Sequence, residues 1–274
     1  MSSLDRAIKK TIAYSAFFDY YLSPSETHFW LITSHLVSFS KVKRSLPLTG
    51  PSLLSIKKKK RRLGYSRQKI AQAKRIASIL MLIPTIQLVA VTGSVAVGDA
   101  RYTDDIDLLI ITSNHSLWIT RPFVLLLLSL FSRRRLPRQT YHSAAHSFCP
   151  NLWMEARTLT VPRIKQNLYT AHEVLFVTPI YDRSCVHQLF LDRNYWVKKY
   201  LANAYLQSIN KEPKKDPSHF FGFLLFPLNL ILFIFQYIYM KPKLTTEHIG
   251  LGSAYFHTKD YDKKIKKHLG QILR

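Results

Sequence analysis

The sequence contains little cysteine and few acidic residues. Its 274 residues include two cysteines, Cys149 and Cys185, with no CxxC pair, and this excludes a disulfide framework. The first residues, from Met1 to Arg6, lack the apolar core of a signal peptide. We therefore expect the protein to reside in a reducing cytoplasm.

Acidic side chains are scarce relative to basic ones. There are 40 Lys and Arg against 16 Asp and Glu, which gives a formal net charge of +24 and a pI near 10.1. This excess favours polyanionic partners, namely nucleic acid, nucleotides or an anionic membrane surface. Because 47% of the residues are hydrophobic, an intrinsically disordered basic tail is excluded. The length allows one large domain or two modest ones.

The N-terminal region is predicted to be helical. Apolar residues recur at helical spacing over residues 5–36. Between the two apolar runs, Ser23, Pro24 and Glu26 are typical of an N-cap, a first-turn proline and a capping-box acid. Residues 38–55 are rich in Ser, Pro, Leu and Gly, which predicts a loop or wing.

A run of six consecutive cations follows this region. One interpretation is electrostatic contact with the backbone of DNA or RNA, and the other is a solvated face that flanks an apolar element. No motif for base-specific readout accompanies the run. Its members are Lys57, Lys58, Lys59, Lys60, Arg61 and Arg62.

Strands are predicted in the middle of the chain, where β-branched apolar runs alternate with turns. From Pro162 onward the pattern is mostly helical. The predicted elements before that point are strands at 86–92, 105–112 and 147–154, a hairpin return at 158–161 and an apolar helix at 117–131.

The first two strands carry the residues with the clearest chemistry. Because side chains alternate faces along a strand, Asp105 and Asp107 project on the same side. A hard divalent cation such as Mg²⁺ relieves the repulsion between two carboxylates and keeps positions open for phosphate oxygens. Gly93 and Ser94 leave the preceding strand at a turn into a helix, where backbone N–H groups can bind phosphate.

This arrangement resembles a known signature. Gly93-Ser94 followed by Asp105-Ile106-Asp107 is similar to the hG(G/S)…Dh(D/E)h pattern of the DNA-polymerase-beta-like nucleotidyltransferase superfamily. Other segments, among them residues 167–173, resemble a bacterial group of such proteins in which a winged-helix-like segment precedes the nucleotidyltransferase domain.

The resemblance implies an α+β fold with a mixed, nucleotidyltransferase-type β-sheet flanked by helices. An N-terminal helical, winged-helix-like segment with its basic connector would occupy residues 1–65. The nucleotidyltransferase domain would occupy residues 66–162, and a helical C-terminal region residues 163–274.

The resemblance also implies roles for individual residues. Asp105 and Asp107 would bind Mg²⁺ or Mn²⁺, and Gly93 and Ser94 would hold the phosphates of an NTP. A third acid normally stands on a following strand and activates the attacking hydroxyl. The 147–154 strand carries Asn151 in its middle, and its nearest acid is Glu155 at the end. We take Glu155 as the candidate base, with an ordinary pair to Arg157 in a turn as the alternative.

Two functions follow from these residues. The first is an enzyme that transfers a nucleoside monophosphate from an NTP to a hydroxyl acceptor and releases pyrophosphate. The second is a nucleotide-sensing or nucleic-acid-binding regulator with a degenerate transferase domain. A zinc site at His142, His146 and Cys149 lacks a fourth ligand, so we interpret these residues as a polar loop and a buried thiol.

One long segment has no charge. Residues 220–240 are long enough to span a bilayer, and lysines flank them on both sides. Pro227, Asn229 and Gln236 within the segment favour instead a kinked helix packed against the protein. Membrane contact through residues 220–240 is therefore one of two interpretations.

Overall fold

A computed structural model describes residues 2–46, 52–131, 147–209, 222–245, 247–256 and 261–272. Within these ranges the protein is a mixed α/β structure in which helices surround a six-stranded sheet. The strands are β1 (Ile86–Val91), β2 (Ile106–Thr112), β3 (Phe148–Glu155), β4 (Thr178–Asp182), β5 (His248–Ile249) and β6 (Ser253–Tyr255).

The helices precede, connect and follow the strands. They are α1 (Ser3–Phe17), α2 (Pro24–Phe29), α3 (Phe39–Ser45), α4 (Leu53–Leu80), α5 (Gly93–Val97), α6 (Leu117–Phe131), α7 (Leu168–Phe176), α8 (Val186–Arg193), α9 (Ala202–Ser208), α10 (Gly222–Met240) and α11 (Tyr261–Ile272). Short 3₁₀ turns occur at Arg163–Lys165, Tyr195–Lys199 and Lys241–Lys243.

The sheet is mixed, with strand order β4-β1-β2-β3-β6-β5. Strands β2 and β3 are parallel, and the other neighbouring pairs are antiparallel. Every residue of β1 is buried, as expected for an apolar, β-branched run in the middle of a sheet covered on both faces. The three strands predicted between residues 86 and 154 are confirmed.

Two hydrophobic cores lie on the two faces of the sheet, because successive side chains of a strand point to opposite faces. Leu88 and Ala90 of β1 join one core, whereas Val89 and Val91 join the other. The first core also contains Tyr14 of α1, so the N-terminal helix shares this core with α7, α8 and α9.

The capping residues predicted near the N-terminus act as expected. The Ser23 hydroxyl accepts from the backbone N–H of Glu26, and the Glu26 carboxylate accepts from the backbone N–H of Ser23, which begins α2 at Pro24. The backbone N–H groups of Ser23 and Glu26, which have no partner within the helix, are thereby hydrogen-bonded.

The loop or wing predicted for residues 38–55 is wrong over much of its length. Residues 39–45 form α3, because Val42 on its inner face is fully buried against Ile8 and Leu31. In the described part of residues 1–65 no strand occurs, and the sole β-type pairing there is an isolated bridge between Thr33 and Leu201. Helix α4 is continuous through the boundary predicted at residue 65.

One further expectation about strands needs correction. Residues 158–161 do not form a hairpin return, because β3 pairs with β6, a strand much later in the chain. The described region after Pro162 is mostly helical, as expected, and it also supplies β4 at one edge of the sheet and the β5–β6 hairpin at the other.

Candidate metal centre

Strand β2 places the two predicted carboxylates side by side. Asp105 immediately precedes the strand and Asp107 is its second residue, while Ile106 between them is fully buried in the core. Both carboxylates are partly exposed. The alternation predicted from the sequence therefore brings Asp105 and Asp107 to one side of the sheet.

The turn after β1 lies directly against Asp107. The backbone N–H of Thr92 donates to the carbonyl of Asp107 at 3.0 Å. Gly93 has φ of +63°, and a Cβ atom there would lie 2.8 Å from Oδ2 of Asp107. Only glycine combines this left-handed backbone with so close an approach. The backbone of the Thr92–Gly93 turn thus lies against the carboxylate of Asp107 at the candidate site.

Ser94 is nearby, but its hydroxyl is already hydrogen-bonded to another side chain of the protein. Its Oγ donates to Oδ2 of Asp104 at 2.8 Å, and the same carboxylate oxygen accepts from the backbone N–H of Arg101 at 2.9 Å. Ser94 therefore positions the loop that leads into β2. Helix α5, which begins at Gly93, has five residues, so its turn contributes backbone N–H groups rather than a long helix dipole.

Lys69 of α4 is a buried cation beneath this loop. Its Nζ donates to the carbonyl oxygens of Tyr102 at 3.2 Å and Asp104 at 2.5 Å. Burial lowers the pKa of Lys69, and the carboxylates of Asp104 and Asp105 oppose that effect. Charge spacing in the sequence alone does not reveal that this cation is covered by a later loop.

Strand β3 adds a thiol to the two carboxylates. Because β2 and β3 are parallel, Cys149 pairs with Asp107 in register. One ligand atom each of Asp105, Asp107 and Cys149 lie within 4.8 Å of one another, so these side chains could hold a metal ion. The sequence interpretation of Cys149 as a buried thiol missed this neighbourhood, and the residue is only partly buried.

Asn151 is inserted at a bulge in the same strand. Leu108 pairs with Pro150 and Leu109 with Leu152, so Asn151 has no register partner on β2. Its Nδ2 donates to Oδ1 of Asp107. Its Oδ1 is buried and has no hydrogen-bond partner in the described structure. An amide thus approaches Asp107 where the resemblance implies a third carboxylate.

Glu155, the candidate base from the sequence, is not near the carboxylate pair. It pairs with Thr112, the last residue of β2, which lies roughly 16 Å along the strand from Asp107. Its side chain is fully buried and accepts hydrogen bonds from Leu117 N–H, Arg157 Nε and Asn229 Nδ2. The pair with Arg157, which was the alternative, is present.

Helix α7 borders the site through its packing against α5. Burial raises the pKa of Tyr169, and the carboxylate of Glu173 and, less strongly, that of Asp107 add to the effect. Burial also raises the pKa of Glu173 to about 7, against a hydrogen bond from Tyr169. Residues 167–173 carry the resemblance to the bacterial group, but nothing local in their sequence indicates that they approach β2.

The basic run lies on α4, and all six of its residues are described. Three of them are paired internally: Lys58 with Asp19, Lys59 with Glu26 at 2.6 Å, and Arg62 with Asp99 at 2.7 Å. The other three are exposed. They are Lys57, Lys60 and Arg61. Much of the run therefore attaches α4 to α1, α2 and the end of α5.

Within the described residues, α10 is the one helix long and apolar enough to cross a membrane. Only 11% of its Phe223–Met240 stretch is buried, so α10 is not a core helix covered on all sides. Residues 220–221 of the predicted apolar segment, and His142 and His146 of the polar loop, lie outside the described residues.

Comparisons with protein-family models, with curated proteins and with solved structures found no match to this chain.

Proposed function

We propose that the protein is a metal-dependent nucleotidyltransferase that moves a nucleoside monophosphate from an NTP to a hydroxyl acceptor. The observation that carries this proposal is the contact between the Gly93 turn and Asp107, beside Asp105. It places a backbone able to approach phosphate against two carboxylates able to hold a cation. The order β1, turn, α5, β2 beside a parallel β3 supports a nucleotidyltransferase-type fold.

The residues around Asp107 fit a divalent cation. The two carboxylates are oxygen donors, and the buried, unpartnered Oδ1 of Asn151 is a third oxygen in the same neighbourhood. Asp105 and Asp107 would hold this divalent cation. When bound, such an ion neutralises phosphate charge and lowers the pKa of an attacking hydroxyl.

The chain's own residues supply binding and orientation. Gly93 lets the main chain approach the phosphates without a side chain between them. Ser94 and Lys69 act on the loop before β2, through Asp104 and its carbonyl, and so set the position of Asp105. The strongly positive surface raises the local concentration of a triphosphate.

Transfer of label from a radioactive NTP tests the proposal. The double variant Asp105→Ala, Asp107→Ala should lose roughly 100-fold or more of the activity, because metal-bound charge stabilisation is worth several kcal/mol. Asp262→Asn on α11 removes one carboxylate, paired with Lys266, and is the matched control that retains activity. Equal labelling by wild type and double variant would contradict the assignment.

A regulator with a degenerate transferase domain is the second candidate. The amide of Asn151, rather than a third carboxylate, beside Asp107 favours it. So do the exposed cations Lys57, Lys60 and Arg61, which can contact a nucleic-acid backbone.

Salt-dependent gel shifts distinguish this candidate. The regulator predicts DNA or RNA binding that persists in the Asp105→Ala, Asp107→Ala variant and weakens when Lys57, Lys60 and Arg61 are changed to Ala. A protein that fails to bind nucleic acid at low salt is not this regulator.

A further inference from the structure

We propose that the thiolate of Cys149 is a ligand of the cation held by Asp105 and Asp107, so that the site selects zinc-class metals over Mg²⁺. This inference rests on the proposed function, because it names the metal class of the same site. The ligand atoms of the three residues come within 4.8 Å of one another, a separation that one ion can bridge.

The chemistry of the donors decides the metal class. Mg²⁺ takes oxygen ligands in near-octahedral geometry and is bound poorly by sulfur. Zn²⁺ and Co²⁺ accept carboxylate and thiolate together, and thiolate ligands favour the softer ions. When the ion binds, the S–H bond of Cys149 breaks, the metal–sulfur bond forms and the proton passes to solvent.

A second observation points to a ligand at the same place. Asn151 is 5% exposed, and its amide nitrogen donates to Asp107 while its Oδ1 has no partner in the described structure. An unpaired buried carbonyl oxygen costs free energy unless something coordinates it. A cation between Asp107, Cys149 and Asn151 provides that partner.

Cobalt spectroscopy on the full chain tests the thiolate ligand. Wild type titrated with Co²⁺ should develop a sulfur-to-cobalt charge-transfer band in the near ultraviolet, which Zn²⁺ removes and excess Mg²⁺ does not. Cys149→Ser should lack the band and bind Co²⁺ roughly tenfold or more weakly. Cys185→Ser, which changes the other, exposed cysteine, is the matched control and should keep it. Circular dichroism verifies that each variant is folded.

Each outcome bears on one proposal at a time. A band that survives in Cys149→Ser, or its complete absence in folded wild type, overturns the thiolate ligand. Mg²⁺ that displaces Co²⁺ at equal concentration overturns the selectivity. NTP transfer supported by Mg²⁺ in Cys149→Ser would leave the proposed function standing without this ligand. A cobalt band with no transfer under any metal would refute only the proposed function.

A separate observation concerns the outer face of α6 and α10. These helices pack together, and each leaves several large apolar side chains in contact with solvent. Soluble proteins rarely expose so many together unless they bind something. The exposed members are Phe123, Leu126, Leu130 and Phe131 on α6, and Phe223, Leu224, Leu228, Ile231, Ile234, Phe235, Ile238 and Tyr239 on α10.

The inner side of α10 is attached to the protein by polar contacts. Asn229 is fully buried, and its Oδ1 accepts from the backbone N–H of Trp118 at 2.8 Å. Gln236 donates to the carbonyl of Trp118 at 2.8 Å and accepts from Arg121 at 2.9 Å. Helix α10 is therefore held against α6 in a two-helix layer and is not a helix that stands apart from the protein.

We infer that this face rests in the surface of an anionic lipid bilayer. No acidic residue occurs between Asp107 and Glu155, or between Asp216 and Glu247, so both helices lie in stretches whose formal charges are all positive. Apolar area combined with positive charge is what anionic lipid surfaces bind. A second copy of this chain is a poorer occupant, because two chains that each carry a net charge of +24 repel each other.

Vesicle co-sedimentation tests this occupant. Wild type should bind vesicles of phosphatidylcholine with phosphatidylglycerol, and bind pure phosphatidylcholine more weakly. Phe235→Glu with Ile238→Glu should lower the affinity roughly tenfold or more, because apolar area in the bilayer sets the binding strength. Leu53→Glu with Leu54→Glu, which changes two exposed apolar residues of α4, is the matched control and should bind as wild type.

Three results would overturn the inference. Equal vesicle binding by the face variant and the control shows that α6 and α10 do not contact lipid. A dimer in size-exclusion chromatography that the face variant disrupts, without vesicle binding, makes the face an interface between copies. Resistance of wild type to extraction from membranes at alkaline pH indicates a span in place of surface binding.

Discussion

At the scale of single residues, two glycines in opposite surroundings allow a paired test. Gly93→Ala places a Cβ 2.8 Å from Oδ2 of Asp107 on a backbone with φ of +63°, so we expect it to lower the free energy of unfolding by about 1–2 kcal/mol and to weaken cation binding. Urea denaturation and a Co²⁺ titration measure the two effects.

The control variant, at Gly64, is expected to change stability in the opposite direction. Gly64 lies inside α4, and a Cβ there meets nothing within 4 Å. Gly64→Ala should therefore raise the free energy of unfolding by about 0.5–1 kcal/mol. If both variants changed stability equally and cation binding stayed the same, Gly93 would not be in contact with the site.

Glu155 gives a second residue-scale prediction. Glu155→Ala should lower the free energy of unfolding by about 2 kcal/mol or more, because Leu117 N–H and Asn229 Nδ2 lose a buried acceptor. Cation binding at Asp107 should not change. A variant with wild-type stability in urea and no transferase activity would restore the catalytic role that the sequence indicated for Glu155.

Some residues of the site can be predicted from nearby sequence, whereas others join the site from a distant part of the chain. Asp105, Asp107 and Gly93 follow local patterns, a strand with alternating faces and a turn, and local patterns are readable from one sequence. Cys149 and Asn151 join them only through the register and bulge of β3, which depend on the whole sheet. The same register places Glu155 opposite Thr112 and away from Asp107.

At the scale of elements, α7 contains two neighbouring residues whose titrations oppose each other. The ring of His172 stacks on Tyr14 with 4.0 Å between ring centroids, and burial lowers the pKa of His172 from 6.5 to about 4. Burial raises the pKa of Glu173 from 4.5 to about 7. Both side chains are held neutral in the folded protein over an interval of mildly acidic pH.

The signs of the two contributions follow from which state binds the proton. Between pH 4 and 6.5 the unfolded chain protonates His172 and the folded one does not, so this residue makes stability rise with pH. Between pH 4.5 and 7 the folded chain keeps the Glu173 proton and the unfolded one loses it, so this residue makes stability fall with pH.

Single substitutions should separate the two slopes. Relative to wild type, Glu173→Gln should gain stability as pH rises from 4.5 to 7, and His172→Gln should lose stability as pH rises from 4 to 6.5. Urea denaturation across this pH range measures both differences. Two variants with the same pH dependence as wild type would show that neither group is desolvated.

The helices and strands differ in how well the sequence predicts them. Strands β1 to β3 and helix α6 are long and apolar, and their patterns predicted them. Strand β4 is short, contains Pro179 and is partly exposed, and β6 has three residues, so neither carries a periodic signal. Helix α3 was misread because its composition favours a loop, while burial of Val42 against α1 stabilises a helix.

At the scale of the whole molecule, the charge of +24 opposes compaction. Salt should therefore raise the free energy of unfolding, because the Debye length falls from about 30 Å at about 0.01 M to about 3 Å at about 1 M ionic strength. Urea, which is uncharged, is the suitable denaturant. A decrease of stability with salt would mean that pairs such as Lys59–Glu26 outweigh the long-range repulsion.

The position of β3 in the sheet has a consequence for synthesis on the ribosome. Strand β3 carries Cys149 and Asn151, yet its second neighbour is β6, and the backbone N–H of Phe256 donates to the carbonyl of Asn151. Roughly 100 residues of translation, or about 5–20 s, separate the two strands. During that time β3 is an open edge able to pair with another nascent chain, so chaperone protection of this edge would matter most late in translation.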